Sequence, residues 1–227
     1  MASALSIISR AAWAPGLETS ADWAGWARGE RAIESSGAAP DLDFLPALFK
    51  RRLGQLDRIV LFAGHEALGG RKKARVVLAT RRGEIGQQYK ISSSLAESGE
   101  VSPAAFSLSV FNAPSSLLSI AEGNPGSSTA VHAGARSFSM GLACCAGMLA
   151  LDPEPVLLVA ADELLPEAYA EIEGGRGESY ALALLLAPGS EGGETFDLEA
   201  ASPSSGEPEA LAFLRRLIEG KAERDRC

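Results

Sequence analysis

Few side chains in this 227-residue chain are suited to covalent or acid–base chemistry: two histidines, His65 and His132, and three cysteines, Cys144, Cys145 and Cys227. One combination of them could act. A thiol or hydroxyl nucleophile, Cys144 or Ser137, with His132 as base would give a small acyltransferase or hydrolase. The nucleophile elbow of a hydrolase is G-x-S-x-G, and Gly134–Ser139 (GARSFS) lacks the second glycine. Cys144 and Cys145 fall in the middle of an apolar run of helical spacing, whereas a thiol is activated at a helix N-terminus, so they read as packing residues. His132 reads as a half-buried imidazole at a strand-to-helix junction, and His65 as a residue at a helix end. Asp162 and Glu163 end an apolar run, where α/β folds keep functional groups or cap a turn. Gly123–Ser128 (GNPGSS) has no Gly-Lys-Ser/Thr ending and no G-x-G-x-x-G occurs, so no nucleotide cofactor is expected. Two histidines and three poorly spaced cysteines give no metal site and no disulfide framework.

Those residues must be held by alternating elements. Ser3–Ser9 has β character and leads into a loop at Trp13; Ala21–Arg28, with Trp23 and Trp26, is a short helix. Phe49, Leu53, Leu56 and Val60 recur at helical spacing through Gly64. Arg75–Thr80 (RVVLAT) is a buried strand, Gly83–Ala96 a helix, and Ser102–Pro103 opens an irregular stretch. Thr129–Ala133, Arg136–Leu151 and Val156–Ala161 form a β-α-β unit whose helix turns Phe138, Leu142, Cys145 and Leu149 inward. Tyr180–Ala187 and Thr195–Ala201 read as an antiparallel pair across the glycine-rich turn Pro188–Glu194, and Pro208–Ile218 as a closing amphipathic helix. The order predicts an α/β fold, a mixed five-stranded sheet covered by helices on both faces, in one domain over 1–227.

The net charge of −8 argues against nucleic acid or an anionic membrane as partner. The basic cluster Arg71, Lys72, Lys73 and Arg75 is a solvated strand entry or a landing place for an acidic carrier protein. Tyr180–Pro188, the longest apolar run considered, suits a buried strand rather than a membrane span. Met1–Pro15 has no basic leader and is interrupted by Arg10, so a cytoplasmic protein in a reducing compartment is expected.

The junction at 132–137 followed by Val156–Glu163 (VLLVAADE) resembles the nucleophile region of β-ketoacyl synthases. In that family a cysteine opens the helix, and a strand of the type V-x-V-A-G-G-A-E ends about 28 residues later. Counting back 28 from Glu163 reaches Ala135, so the nucleophile position is degenerate. Further agreement comes from Ser102–Val110 (SPAAFSLSV), Asn112, Ala113, Ser119–Ala121, Thr129–Gly134 (TAVHAG), Ser137, Phe138, Gly141 and Leu142. Trp13–Leu17 (WAPGL), Trp23 and Trp26 extend it to the amino end, and the whole is similar to the small ketosynthase-like chain-length factors of type II aryl polyene and related polyketide systems. Family proteins usually carry histidine where Phe111 stands.

The resemblance implies a thiolase-like half without the cysteine or the histidine-bearing second half. Such a chain would be a non-catalytic subunit, pairing with a full-length β-ketoacyl-ACP synthase and meeting acyl carrier protein indirectly. It further implies pairing across the dimer through the strand at Thr129–Ala133, with Thr129, Val131, His132 and Phe138 at the interface. Phe111, Leu117, Leu118 and Ala121 would line the partner's acyl tunnel.

Overall fold

The computed structural model describes residues 5–189, 194–196 and 206–224. Among them six strands form one mixed sheet in the order β3-β2-β4-β5-β1-β6. They are β1 (Leu5–Trp13), β2 (Arg75–Ala79), β3 (Ser128–Val131), β4 (Val156–Asp162), β5 (Tyr180–Pro188) and β6 (Glu194–Phe196). β2 runs parallel to β3 and β4, while β5 is antiparallel to both β4 and β1.

The fold class matches the sequence reading, but two details differ. The sheet has six strands among the described residues, not five, and β5 and β6 are not neighbours: β1 lies between them and pairs antiparallel with each. A connection of about a turn's length suggests a hairpin, but β1 pairs with β5 from Pro188 back to Ala181 and leaves β6 only its outer side at Leu5–Ile7. Positions 197–201 of the expected last strand lie outside the described residues.

Strand burial explains why the sheet sits in the middle. In β4 the residues alternate between two cores: Val156, Leu158 and Ala160 face one, Leu157, Val159 and Ala161 the other, and all are buried. The second core is closed by α3 (Gln55–Leu68) and α6 (Ala113–Glu122). The first is closed by α7 (Ser137–Leu151) and α9 (Glu209–Arg224), with α1 (Ser20–Ala27) packed on α9. α7 sits close on the sheet because Gly141 has no side chain; a Cβ there would stand 2.9 Å from both the Ala79 Cβ and a Leu158 methyl.

The helix expected from Phe49 to Gly64 is broken into α2 (Ala47–Lys50) and α3. Gly54 takes an extended backbone and its N–H donates to Asp57 Oδ2 at 3.0 Å, which starts a new helix. Two further helices, α4 (Ile85–Ser98) and α5 (Pro103–Ser107), carry no buried residues, and α8 (Glu167–Glu173) connects β4 to β5. Gly134–Leu151 has a mean hydropathy of 1.3 over 18 residues, enough by length and composition to cross a bilayer and longer than the run singled out from sequence. Its inward face is packed on β2 and β4, which marks it as a core helix of the sheet.

Candidate functional site

The chemistry-bearing residues converge at the C-terminal ends of β2, β3 and β4, where three connections leave the sheet on one side. From β3 the chain passes through His132 and Ala133 into a 3-10 turn (Gly134–Arg136) and then α7. Gly134 has a φ of 58°, which suits its lack of a side chain. Ser137 is buried and its hydroxyl is committed: it accepts from Ala133 N–H at 3.0 Å and lies within donating distance of the Thr80 and Gly134 carbonyls, at 2.9 and 2.8 Å. His132 is exposed, and its Nδ1–H donates to the same Thr80 carbonyl at 3.2 Å. The serine and the imidazole thus share a backbone acceptor, and no hydrogen bond joins them among the described residues. Cys145 is fully buried in mid-helix, where desolvation pushes its thiol far up, and Cys144 is half-buried beside it. This geometry does not favour the acyltransferase or hydrolase reading.

Asp162 and Glu163 hold the neighbouring connection together. Asp162 accepts from the Thr80 hydroxyl (3.1 Å), the Arg81 N–H (2.8 Å) and the Tyr180 hydroxyl (3.0 Å), and burial raises its pKa against those bonds. Burial, then the Asp162 charge, drives the Tyr180 phenol well above its usual range, so it stays a donor. Glu163 accepts from Gly86 N–H at 2.8 Å at the start of α4, and burial raises its pKa too. Both carboxylates fasten the β2–α4 turn rather than cap their own strand's turn. His65 stacks flat on Phe44, centroids 3.7 Å apart, and its Nδ1 meets buried Glu122 at 2.7 Å, so its side chain bridges α3 to α6 instead of capping α3.

Ala135 is exposed at the lip of a pocket of about 290 Å³, lined among others by Arg81, Arg136, Ser137, Asp162, Tyr180 and Glu209. A void therefore stands beside Ala135. Glu209, which sequence reasoning passed over, reaches the first turn of α7: its carboxylate accepts from the Ser139 N–H at 2.9 Å and the Ser139 hydroxyl at 3.2 Å. The only sequence signal was an acidic residue after Pro208 at a helix start.

The remaining candidates separate. Thr129 and Val131 are half-buried on β3, which ends the sheet, and His132 lies exposed just beyond it. Phe138 is 4% exposed and packs against Phe213 in the chain's own core. Phe111 is 40% exposed; its ring lies 4.7 Å from the His132 ring and over Gly83, where a Cβ would come within 2.4 Å of it. Leu117 and Ile120 line an apolar groove of about 830 Å³ with Phe49, Leu53 and Leu108. Leu118 is fully buried against α3 and faces away from that groove, a correction to its expected place in a tunnel wall, and Ala121 is half-buried against the same core. The i, i+1 step between Leu117 and Leu118 turns them to different sides of α6.

The profile of the β-ketoacyl synthase N-terminal domain family matches residues 23–224. The chain belongs to that family. No curated protein sequence matches it. Among solved structures, it is similar to a chain of the ketosynthase ApeO in complex with its chain length factor ApeC from Xenorhabdus doucetiae, at 28% identity and a TM-score of 0.81, over 95% of this chain and 92% of that one. The ishigamide ketosynthase/chain length factor matches at 17% identity and TM-score 0.68, over 83% of this chain and 63% of that one. A type II polyketide synthase complex of acyl-carrier protein with its hexaketide-bound ketosynthase, AntDE:AntF, matches at 13% and 0.65, over 84% and 64%. The last two share the fold.

Proposed function

We propose that this chain is a non-catalytic chain-length-factor subunit that pairs in the cytoplasm with an active β-ketoacyl-ACP synthase and shapes its acyl tunnel during type II, aryl polyene-like chain elongation. What supports the reading is the β3–α7 junction: alanine occupies position 135, which the resemblance assigns to the nucleophile, and the Ser137 hydroxyl is held by the Thr80 and Gly134 carbonyls. A Claisen condensation needs an activated thiol, and neither Cys144 nor Cys145, the cysteines among the described residues, lies near the start of α7.

The pairing surface is β3, whose outer side has no strand partner among the described residues, together with the outward stripe of α7 at Met140, Ala143, Gly147 and Leu151. Small residues there allow close approach of a partner element, and an unpaired edge is normally covered. Thr129, Val131 and His132 lie on this surface, whereas Phe138 supports it from inside. The Phe111 ring lies tilted against His132 at the same corner, and Leu117 and Ala121 lie on α6. The likeness at 28% identity to a ketosynthase–chain-length-factor complex supports the choice of partner.

The test is co-expression with a full-length ketosynthase and its acyl carrier protein, purification through a tag on this chain, and a condensation assay. A stable heteromer active only with both chains present is expected. Turnover by this chain alone, abolished by Cys144→Ala, would overturn the reading.

A further inference from the structure

The N-terminus of α7 is where a ketosynthase-type site would need to bind negative charge, because the unpaired N–H groups of a helix's first turn favour an anion. In this chain an anion from within the molecule already stands there. Glu209 is 5% exposed; one carboxylate oxygen accepts from the N–H of Ser139, the third residue of α7, at 2.9 Å, and the other lies 3.2 Å from the Ser139 hydroxyl, which is also within donating distance of the Arg136 carbonyl. Glu209 is also the first residue of α9, so the starts of two helices converge on one carboxylate. α9 has little freedom to withdraw it. Arg215 donates to the Trp26 and Ala27 carbonyls at 2.8 and 2.7 Å and to Glu207 at 2.6 Å, its guanidinium lies 4.2 Å from the Trp26 ring centre, and Phe213 packs on Phe138.

We propose that Glu209 is a built-in counter-anion that occupies the anion position at the start of α7 and closes the pocket beside Ala135 to thiolates, oxyanions and carboxylate ligands. The idea deepens the non-catalytic reading: the site lacks a nucleophile, and its helix N-terminus is also filled. The other charges around the pocket do not undo this. Arg82 and Arg81 from the β2–α4 turn are drawn to Glu173 at 3.1 and 3.6 Å, and Arg136 lies exposed at the rim. Against them stand Asp162 from β4, Glu178 ahead of β5, and Glu207 beside Glu209. Burial, then Glu207, raises the pKa of Glu178, with Arg215 opposing.

The test places a thiol at the degenerate position. Ala135→Cys and the double variant Ala135→Cys/Glu209→Gln are alkylated with iodoacetamide from pH 6 to 10, and the introduced thiol is followed by peptide mass spectrometry, which separates it from the native cysteines. In the single variant the alkylation midpoint is expected at or above the ordinary thiol value of about 8.5. Removing the Glu209 charge should lower the midpoint by about one unit, a roughly tenfold faster reaction at pH 7. A single-variant midpoint well below 8.5 would show the helix terminus open and overturn the proposal, as would identical midpoints in the two proteins. If the double variant fails to fold by circular dichroism, the single-variant midpoint alone decides. Neither failure touches the chain-length-factor reading, which stands or falls on co-purification and condensation with the ketosynthase.

Discussion

Glu84 is fully buried between the starts of α3 and α4, and neither of its carboxyl oxygens, nor Asp57 Oδ1, has a conventional hydrogen-bond partner. A single retained proton joins one Glu84 oxygen to Asp57 Oδ1. Burial, then the charges of Asp57 and Glu163, push Glu84 up to about 10 from 4.5, so it stays un-ionised and donates to Asp57, with Lys90 opposing only weakly. Asp57 is itself raised to about 6 by burial, offset by the Gly54 N–H. Because the folded pKa of Glu84 lies above its unfolded value, the unfolded chain loses this proton first as pH rises. Stability is full below about pH 4.5 and falls through the window up to about pH 10, by about 1.4 kcal/mol per unit. Glu84→Gln keeps the shape and the donor to Asp57 and removes the titration. Measured by urea unfolding, the variant should gain about 3 kcal/mol relative to the parent between pH 6 and pH 8, a span of two units. Asp57, Asp162, Glu163 and Glu178 shift in the same direction, so the parent also loses stability through them; the difference between the two proteins isolates Glu84. A stability difference that does not change between pH 6 and 8 would refute the shared-proton account.

Leu118→Ala should cost about 2–5 kcal/mol of stability, since a fully buried side chain against α3 is lost, while Leu117→Ala, at a side chain only partly buried on that core, should cost less and alter the product-length distribution of the reconstituted complex. An unaltered distribution with Leu117→Ala would remove the α6 groove from the tunnel. Thr129→Lys, which puts a charge on the edge strand, should abolish co-purification with the ketosynthase without lowering the unfolding free energy by more than about 1 kcal/mol; retained pairing would exclude β3 as the interface.

Period and composition along the chain were enough to locate most elements. β4 reads as a continuous apolar run because both of its faces are buried, and the inward stripe of α7 reads directly from Phe138, Leu142, Cys145 and Leu149. That alanine stands at position 135, where the resemblance places a nucleophile, is a matter of residue identity and needs no coordinates. What required the tertiary structure is everything set by contacts between residues distant in sequence. The insertion of β1 between β5 and β6 depends on which strands offer the longer pairing, which neither segment encodes locally. Leu117 and Leu118 have the same chemistry, and only the packing of α6 on α3 sends one to an open groove and the other into the core. Glu84 and Asp57 come from separate helices, 27 positions apart in the sequence, and Glu209 meets Ser139 across 70. A carboxylate's role follows from the donors and charges the fold brings to it, and no local pattern in the chain specifies those.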